Sequence, residues 1–264
     1  MYKPEAQASV RLQGFEIATG TLACASGLYC RFGSSRHCFF AAIVFMSNVI
    51  TKQIPKNLLF RYRIPCRHVD LKATEKFELD ETYRLKNFGS FEDQEPYADV
   101  RAGWNEGGLY FSVEVTTKMQ AVWCRENQLL ESDGLQIWVD TRDTHNVHRA
   151  TRFCHWFAVL PAGAGTKQMS PVISTLKINR SREDSPAINR AKLKAASQLS
   201  KNGYRLTTFI PSAVLNGWNV DDHRQLGFNL AVMDRELGWQ TLAIGPELPI
   251  AEDPSLWQTL HLVD

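Results

Sequence analysis

The sequence predicts an all-β protein: an antiparallel β-sandwich of the jelly-roll or immunoglobulin-like kind, with little helix. Three observations predict it. From about residue 98 onward, apolar and polar residues alternate in short runs. Turn-forming Gly, Asn and Asp stand between those runs, and almost nothing repeats at the helical period.

The elements follow in order. "ADVRAGW" (98–104) and "LYFSVEV" (109–115) flank the Gly-rich turn "NEGG" and read as a hairpin. In the second strand Leu109, Phe111, Val113 and Val115 alternate against Tyr110, Ser112 and Glu114, the two-residue period of a half-buried strand. "GLQIWVD" (134–140) repeats the pattern, with Leu135, Ile137 and Val139 on one face and Gln136, Trp138 and Asp140 on the other. "FCHWFAVL" (153–160), "STLKIN" (174–179) and "AKLKAASQLS" (191–200) continue it. The turn "KNG" then leads into "YRLTTFI" (204–210). "PSAVLNG" (211–217), opened by Pro211 and closed by Gly217, suits a single helical turn. "QLGFNLAVMD" (225–234), "WQTLAIG" (239–245) and "TLHLV" (259–263) complete the set.

At 264 residues the chain can bury a large core, and 44% apolar with 22% charged residues is ordinary for a globular protein. A formal net charge of +2 gives no argument for nucleic acid. Between Arg180 and Arg205 seven basic residues face only Glu183 and Asp184, which a solvated loop and strand face explains. "FFAAIVF" (39–45) is far shorter than the roughly 20 apolar residues of a membrane span. No small-residue cleavage site follows it, so it does not read as a signal peptide. The six cysteines are irregularly spaced without a CxxC, so reduced thiols are expected. Residues 1–45 lack periodicity and precede Met46; they are expected to be a disordered tail or an extended translation start, with 46–264 as a single sandwich domain. The default compartment is the cytoplasm, or the exterior if that start is mis-assigned.

Catalytic signatures are missing. There is no GxSxG, GxGxxG or GxxxxGK[ST], and Asp133 and Asp140 lie roughly 23 Å apart along an extended segment. Glycosidase carboxylates lie about 5 to 10 Å apart, so a non-catalytic domain is expected. Cys154 and His155 alternate across a strand and cannot bind one zinc ion together. Asp140, Asp143 and Asn146 offer hard oxygens in one loop, a candidate calcium site without the EF-hand order. Otherwise no cofactor is expected.

Tryptophan gives the positive signal. Trp138 faces away from the side that Leu135, Ile137 and Val139 bury. Trp123 sits in the polar "AVWCRENQ", and Trp239 follows the turn "REL-G". A flat ring beside amide and charged groups is a recipe for binding a sugar, because the ring covers C–H faces while polar neighbours take the hydroxyls.

The segment "SDGLQIWVDTRD" resembles the central strand signature of family 9 carbohydrate-binding modules and their DOMON-like relatives. "ADVRAGWNEGGLYFSVEV", "YRLTTFIPSAVL", "LGFNLAVMDRELG" and "DPSLWQTLHLV" stand around it in the family's order, so the resemblance covers about residues 60–264. It implies a β-sandwich that binds sugar ends, or one diverged toward another ligand or a protein contact. Gln136 stands where sugar-binding members often carry Glu. Trp123 and Trp239 are candidates for the paired loop tryptophans, with Gln136, Trp138, Arg142, His155 and Asp234 as further ligand contacts. Some DOMON relatives bind haem for electron transfer through Met and His or Lys; Met119, Met233, His145 and His155 would be the candidates for that alternative.

Overall fold

The computed structural model describes residues 61–264 apart from 73, 75, 87–95, 243–244 and 247, together with three short strands before them. The chain divides into two compact units, Met1–Ile54 and Pro55–Asp264. In the first, β1 (Ile17–Ala18), β2 (Thr21–Ala23) and β3 (Tyr29–Arg31) form an antiparallel sheet in that order. The expectation of a disordered or mis-assigned N-terminal extension falls otherwise outside the described residues, as do the side chains of Cys24, Cys30 and Cys38.

The second unit is nearly all strand. β4 (Arg63–His68), β5 (Ala98–Asn105), β6 (Gly108–Val115), β7 (Gly134–Asp140), β8 (Cys154–Ala164) and β9 (Ser170–Leu176) come first. β10 (Lys194–Ser200), β11 (Gly203–Pro211), β12 (Gln225–Asp234), β13 (Gly238–Thr241) and β14 (Gln258–Val263) follow. They hydrogen-bond in the order β10-β11-β6-β5-β4-β14-β12-β7-β8-β9, with β13 beside β12. This one sheet curls over so that its halves face each other, nearly closing into a barrel. The Ser197 hydroxyl of β10 donates to the Pro161 carbonyl of β8 at 2.6 Å, tying the two ends. Among the described residues, helix is limited to single 3-10 turns such as Ser212–Val214, and none is long and apolar enough to cross a membrane.

The core lies where the alternation puts it. Leu109, Phe111, Val113 and Val115 of β6 pack with Leu135, Ile137 and Val139 of β7 and with Phe228 and Leu230 of β12. Phe111 stacks on Phe228 across the sandwich, with ring centroids 5.9 Å apart and planes 5° from parallel. β7 departs from the half-buried expectation, since all seven of its residues are buried. The reason is a second layer: Trp138 and Trp156 on the outer side of the sheet pack with Ile250 and Trp257 of the segment leading into β14. Gly134 opens β7 with φ of +154°, and a Cβ there would stand 2.4 Å from the Val159 carbonyl oxygen, so only glycine fits.

β4 has no counterpart in the sequence reading. Its Ile64 and Cys66 point inward while Arg63, Pro65 and Arg67 point out. It pairs in parallel with both β14 and β5 and so links the halves of the sheet. Cys66, Cys124 and Cys154 are buried free thiols.

Candidate functional site

The outer face of β13-β12-β7-β8-β9 carries the feature that most needs a chemical explanation. Strand register lines up Thr241, Ala231, Gln136, Ala158 and Ser174 in one row across five strands. Gln136 thus stands between two alanines, with a hydroxyl residue beyond each. It is 3% exposed, yet neither its Oε1 nor its Nε2 has a hydrogen-bond partner. Buried amides are almost always paired, because an unpaired one forfeits its hydration. Apolar clusters flank the row. On one side lie Trp138, Trp156 and Trp257; on the other Cys124, Leu160, Ala162 and Val172. Gln136 belongs to neither.

One end of this face is built by two loops that acids lock together. Asp133, just before β7, accepts the Trp123 N–H on Oδ2 and the Arg235 N–H on Oδ1, each at 2.9 Å. Glu236 accepts from the backbone N–H groups of Met119 and Gln120. Lys118 lies between these acids, 3.1 Å from Asp133 and closer still to Asp234, with side chains at 1%, 0% and 0% exposure. Burial opposes the charge on Lys118, but its bonds to Asp234 and Asp133 outweigh that and raise its pKa. The remaining Asp234 oxygen caps the turn, accepting from the Glu236 and Leu237 N–H groups.

This frame positions two of the expected tryptophans. The Arg235 guanidinium lies 4.0 Å from the centroid of the half-buried Trp123 ring, and that of Arg125 lies 5.3 Å away. Trp239 is exposed while its chain neighbours are fixed. The Tyr97 hydroxyl donates to the Gly238 and Val232 carbonyls, and the Gln240 amide accepts from the Tyr97 and Ala98 N–H groups. By register Trp239 sits beside Met233 on the same outer face as Gln136.

The other expected contacts are distributed along β7. Trp138 does face away from Leu135, Ile137 and Val139, but it is 1% exposed and stacked on Trp156 at 5.4 Å, inside the second apolar layer. Its ring faces are therefore covered. Arg142 follows the far end of β7 and stacks on Phe153 at 4.8 Å. His155 pairs in register with Val139, which puts it on the inner face, where its Nε2 accepts the Asn216 N–H at 3.0 Å. Neither meets Trp123, Asp234 and Trp239, which gather at the opposite end.

The candidate calcium ligands are also at the far end. Asp140 accepts from the backbone N–H groups of Arg142 and Thr144 and from the Thr144 hydroxyl. Asp143 holds His145 and Thr259, while Asn146 is exposed. Among the described residues no group of three or more His, Cys, Asp or Glu is arranged to hold a metal ion. The haem candidates are spread out: Met119 is 92% exposed on the Trp123 loop, Met233 pairs with Gly134 at the near end of β7, and His145 bonds Thr259 at the far end.

The sequence reading did not single out Asn229, Ser174, Thr241, Trp156 or Lys118. A signal existed for one of them: alternation in "GFNLAV" puts Asn229 on the face of Ala231, opposite Trp138. A separate cavity of about 410 Å³ lies over β5, β6 and β11, but its arginines are already committed, Arg101 to Asp99 and Arg205 to Glu114.

Structural comparison places this architecture. A family 9 carbohydrate-binding module from Caldicellulosiruptor kristjanssonii, solved with cellotriose, superposes with a TM-score of 0.54 over 76% of this chain and 93% of that one, at 16% identity. The chain has the fold of a family 9 carbohydrate-binding module. The same organism's module solved with glucose matches equally well, at 15% identity over 76% of this chain and 96% of that one. A protein from Bacteroides uniformis described as carbohydrate-binding matches with a TM-score of 0.51, at 15% identity over 77% of this chain and all of that one. No family model and no curated protein matches the sequence.

Proposed function

We propose that this protein is a non-catalytic carbohydrate-binding domain whose ligand lies over the outer face of β13-β12-β7-β8. Gln136 carries the reading. Its buried amide has both a donor and an acceptor without partners, which is the pair of capacities a sugar hydroxyl needs. Ser174 and Thr241 extend the polar row, and the exposed Trp239 provides an apolar ring at its edge for the sugar's C–H face. Trp123 and Asp234 shape the same end of the sheet. The fold shared with modules solved with glucose and cellotriose supports the reading further.

The test is calorimetric titration with glucose, cellotriose and a panel of other mono- and oligosaccharides at millimolar concentration, read together with tryptophan fluorescence. Heat of binding and a change in emission from a covered Trp239 are expected. No response to any sugar in that range would defeat the proposal.

A further inference from the structure

The far end of the sandwich concentrates positive charge on two turns that the fold brings together. Residues 141–153 join β7 to β8, and residues 177–185 follow β9. The Arg182 N–H donates to the Ala150 carbonyl at 2.7 Å. Arg149 donates to the Arg180 and Ser181 carbonyls at 2.8 and 3.3 Å. Arg142, Arg149, Arg152, Lys177, Arg180 and Arg182 are all exposed, and against them stand Glu183 and Asp184, the exposed acids of the two turns. Asp184 is bound to Lys177 at 2.9 Å, and Glu183 reaches Arg152 only at 3.9 Å. Asp140 and Asp143 are engaged by Thr144, His145 and Thr259. The guanidinium groups of Arg142, Arg180 and Arg182 have no hydrogen bond or ion pair to a described residue.

Local geometry keeps these groups available. The Arg142 and Arg152 guanidinium groups lie 4.8 and 5.1 Å from the centroid of the Phe153 ring. Stacking of this kind leaves the edge N–H donors free for an oxyanion. Arg180 has a left-handed backbone with φ of 56°, a conformation that Gly and Asn adopt more readily.

Such an excess of cations attracts a polyanion, and the surroundings select among polyanions. Entry into an anionic membrane takes apolar side chains as well as charge. The exposed large hydrophobic residues among those described are Met119, Leu130, Met169 and Trp239, all at the opposite end. Single-stranded nucleic acid stacks its bases on open aromatic rings, whereas Phe153 is taken by guanidinium groups. The same two turns carry the exposed amides of Asn146 and Asn179, which can donate to and accept from hydroxyls. Guanidinium and amide groups together match a polymer that bears both oxyanions and hydroxyls.

We propose that these two turns form a second binding site, for a polysaccharide carrying sulfate or carboxylate groups. Arg142, Arg180 and Arg182 take its oxyanions, and Asn146 and Asn179 take its hydroxyls. The site lies at the opposite end from Trp123 and Trp239 and does not depend on sugar binding at Gln136.

Affinities for dextran sulfate and polygalacturonate test it, beside uncharged dextran, single-stranded and duplex DNA, and phosphatidylserine vesicles. One or both acidic polysaccharides are expected to bind, and to weaken about tenfold or more between about 50 and 200 mM salt. Arg180→Asn combined with Arg182→Gln is expected to lower that affinity about tenfold, the asparagine suiting the left-handed backbone. Lys86→Gln combined with Lys201→Gln removes the same charge from exposed positions elsewhere and is expected to change it less than about twofold. Gln136→Leu is expected to leave it unchanged, so this site and the sugar-binding face can fail separately. Equal losses in the two double variants would overturn the proposal by reducing it to overall charge. DNA, vesicles or uncharged dextran binding as tightly as the acidic polysaccharides would overturn it too, as would no binding of either polysaccharide at low salt.

Discussion

Lys118 and Asp234 form an ion pair out of contact with solvent, with side chains 1% and 0% exposed. Asp133 shares the same ammonium and at the same time holds the Trp123 and Arg235 backbones. Substituting Lys118→Met removes the cation and leaves two buried carboxylates facing each other. The expected loss is about 3–5 kcal/mol in urea denaturation, as when one member of a buried pair is removed. A loss under about 1 kcal/mol would mean that the carboxylates are rescued by protonation or water, and that Lys118 does not hold the loops.

The two-residue period made the sandwich legible, because alternation records which side of each strand leaves water. It could not record what covers the other side. Leu135, Ile137 and Val139 face the main core as their pattern predicts. Trp138, equally well placed on the opposite face, is covered by Ile250 and Trp257, more than a hundred residues away in the chain. β4 escaped notice because six residues with a central proline read against a strand, and because its parallel partners lie at distant places in sequence. Among the candidate site residues, Gln136 is legible from its strand position and Trp239 from its turn. Lys118 is not, since an isolated lysine gives no sign that Asp133 and Asp234 will enclose it.

Gln136→Leu separates a ligand contact from a structural one. An unpaired buried amide costs about 1–3 kcal/mol, and an apolar side chain of similar volume escapes that penalty. The variant is expected to be as stable as the parent or up to about 2 kcal/mol more stable, while its response to sugar disappears. A clear loss of stability in thermal and urea unfolding would show that the amide serves the fold, and would count against its place in the site.

Trp239 and Trp138 are expected to behave oppositely. Trp239 is 37% exposed, so Trp239→Ala should cost less than about 1 kcal/mol of stability while weakening sugar binding about three- to tenfold. Trp138 lies within the second apolar layer, so Trp138→Ala should cost about 3–5 kcal/mol. Chemical denaturation of the two variants beside a titration of Trp239→Ala decides the matter. Unchanged affinity in Trp239→Ala would remove that ring from the binding surface.

His155 gives the fold a defined acid sensitivity. Burial lowers its pKa to about 4 from the usual 6.5, against the smaller opposing effects of Asn216 and Asp140. Above pH 6.5 the imidazole is neutral whether the chain is folded or not, and it contributes nothing to pH dependence. Below 6.5 the unfolded chain takes up the proton while the folded one refuses it, so stability falls until the folded group also titrates near pH 4. The full loss is about 3 kcal/mol, and it stops growing below that point. His145, lowered by burial in the same sense, adds to the slope in this window. In His155→Gln the side-chain oxygen can still accept the Asn216 N–H but has no proton to take up. Urea unfolding at pH 7, 5.5 and 4.5 should therefore show a steep decline in the parent and a distinctly shallower one in the variant. Parallel declines would assign the acid sensitivity to His145 or the carboxylates instead.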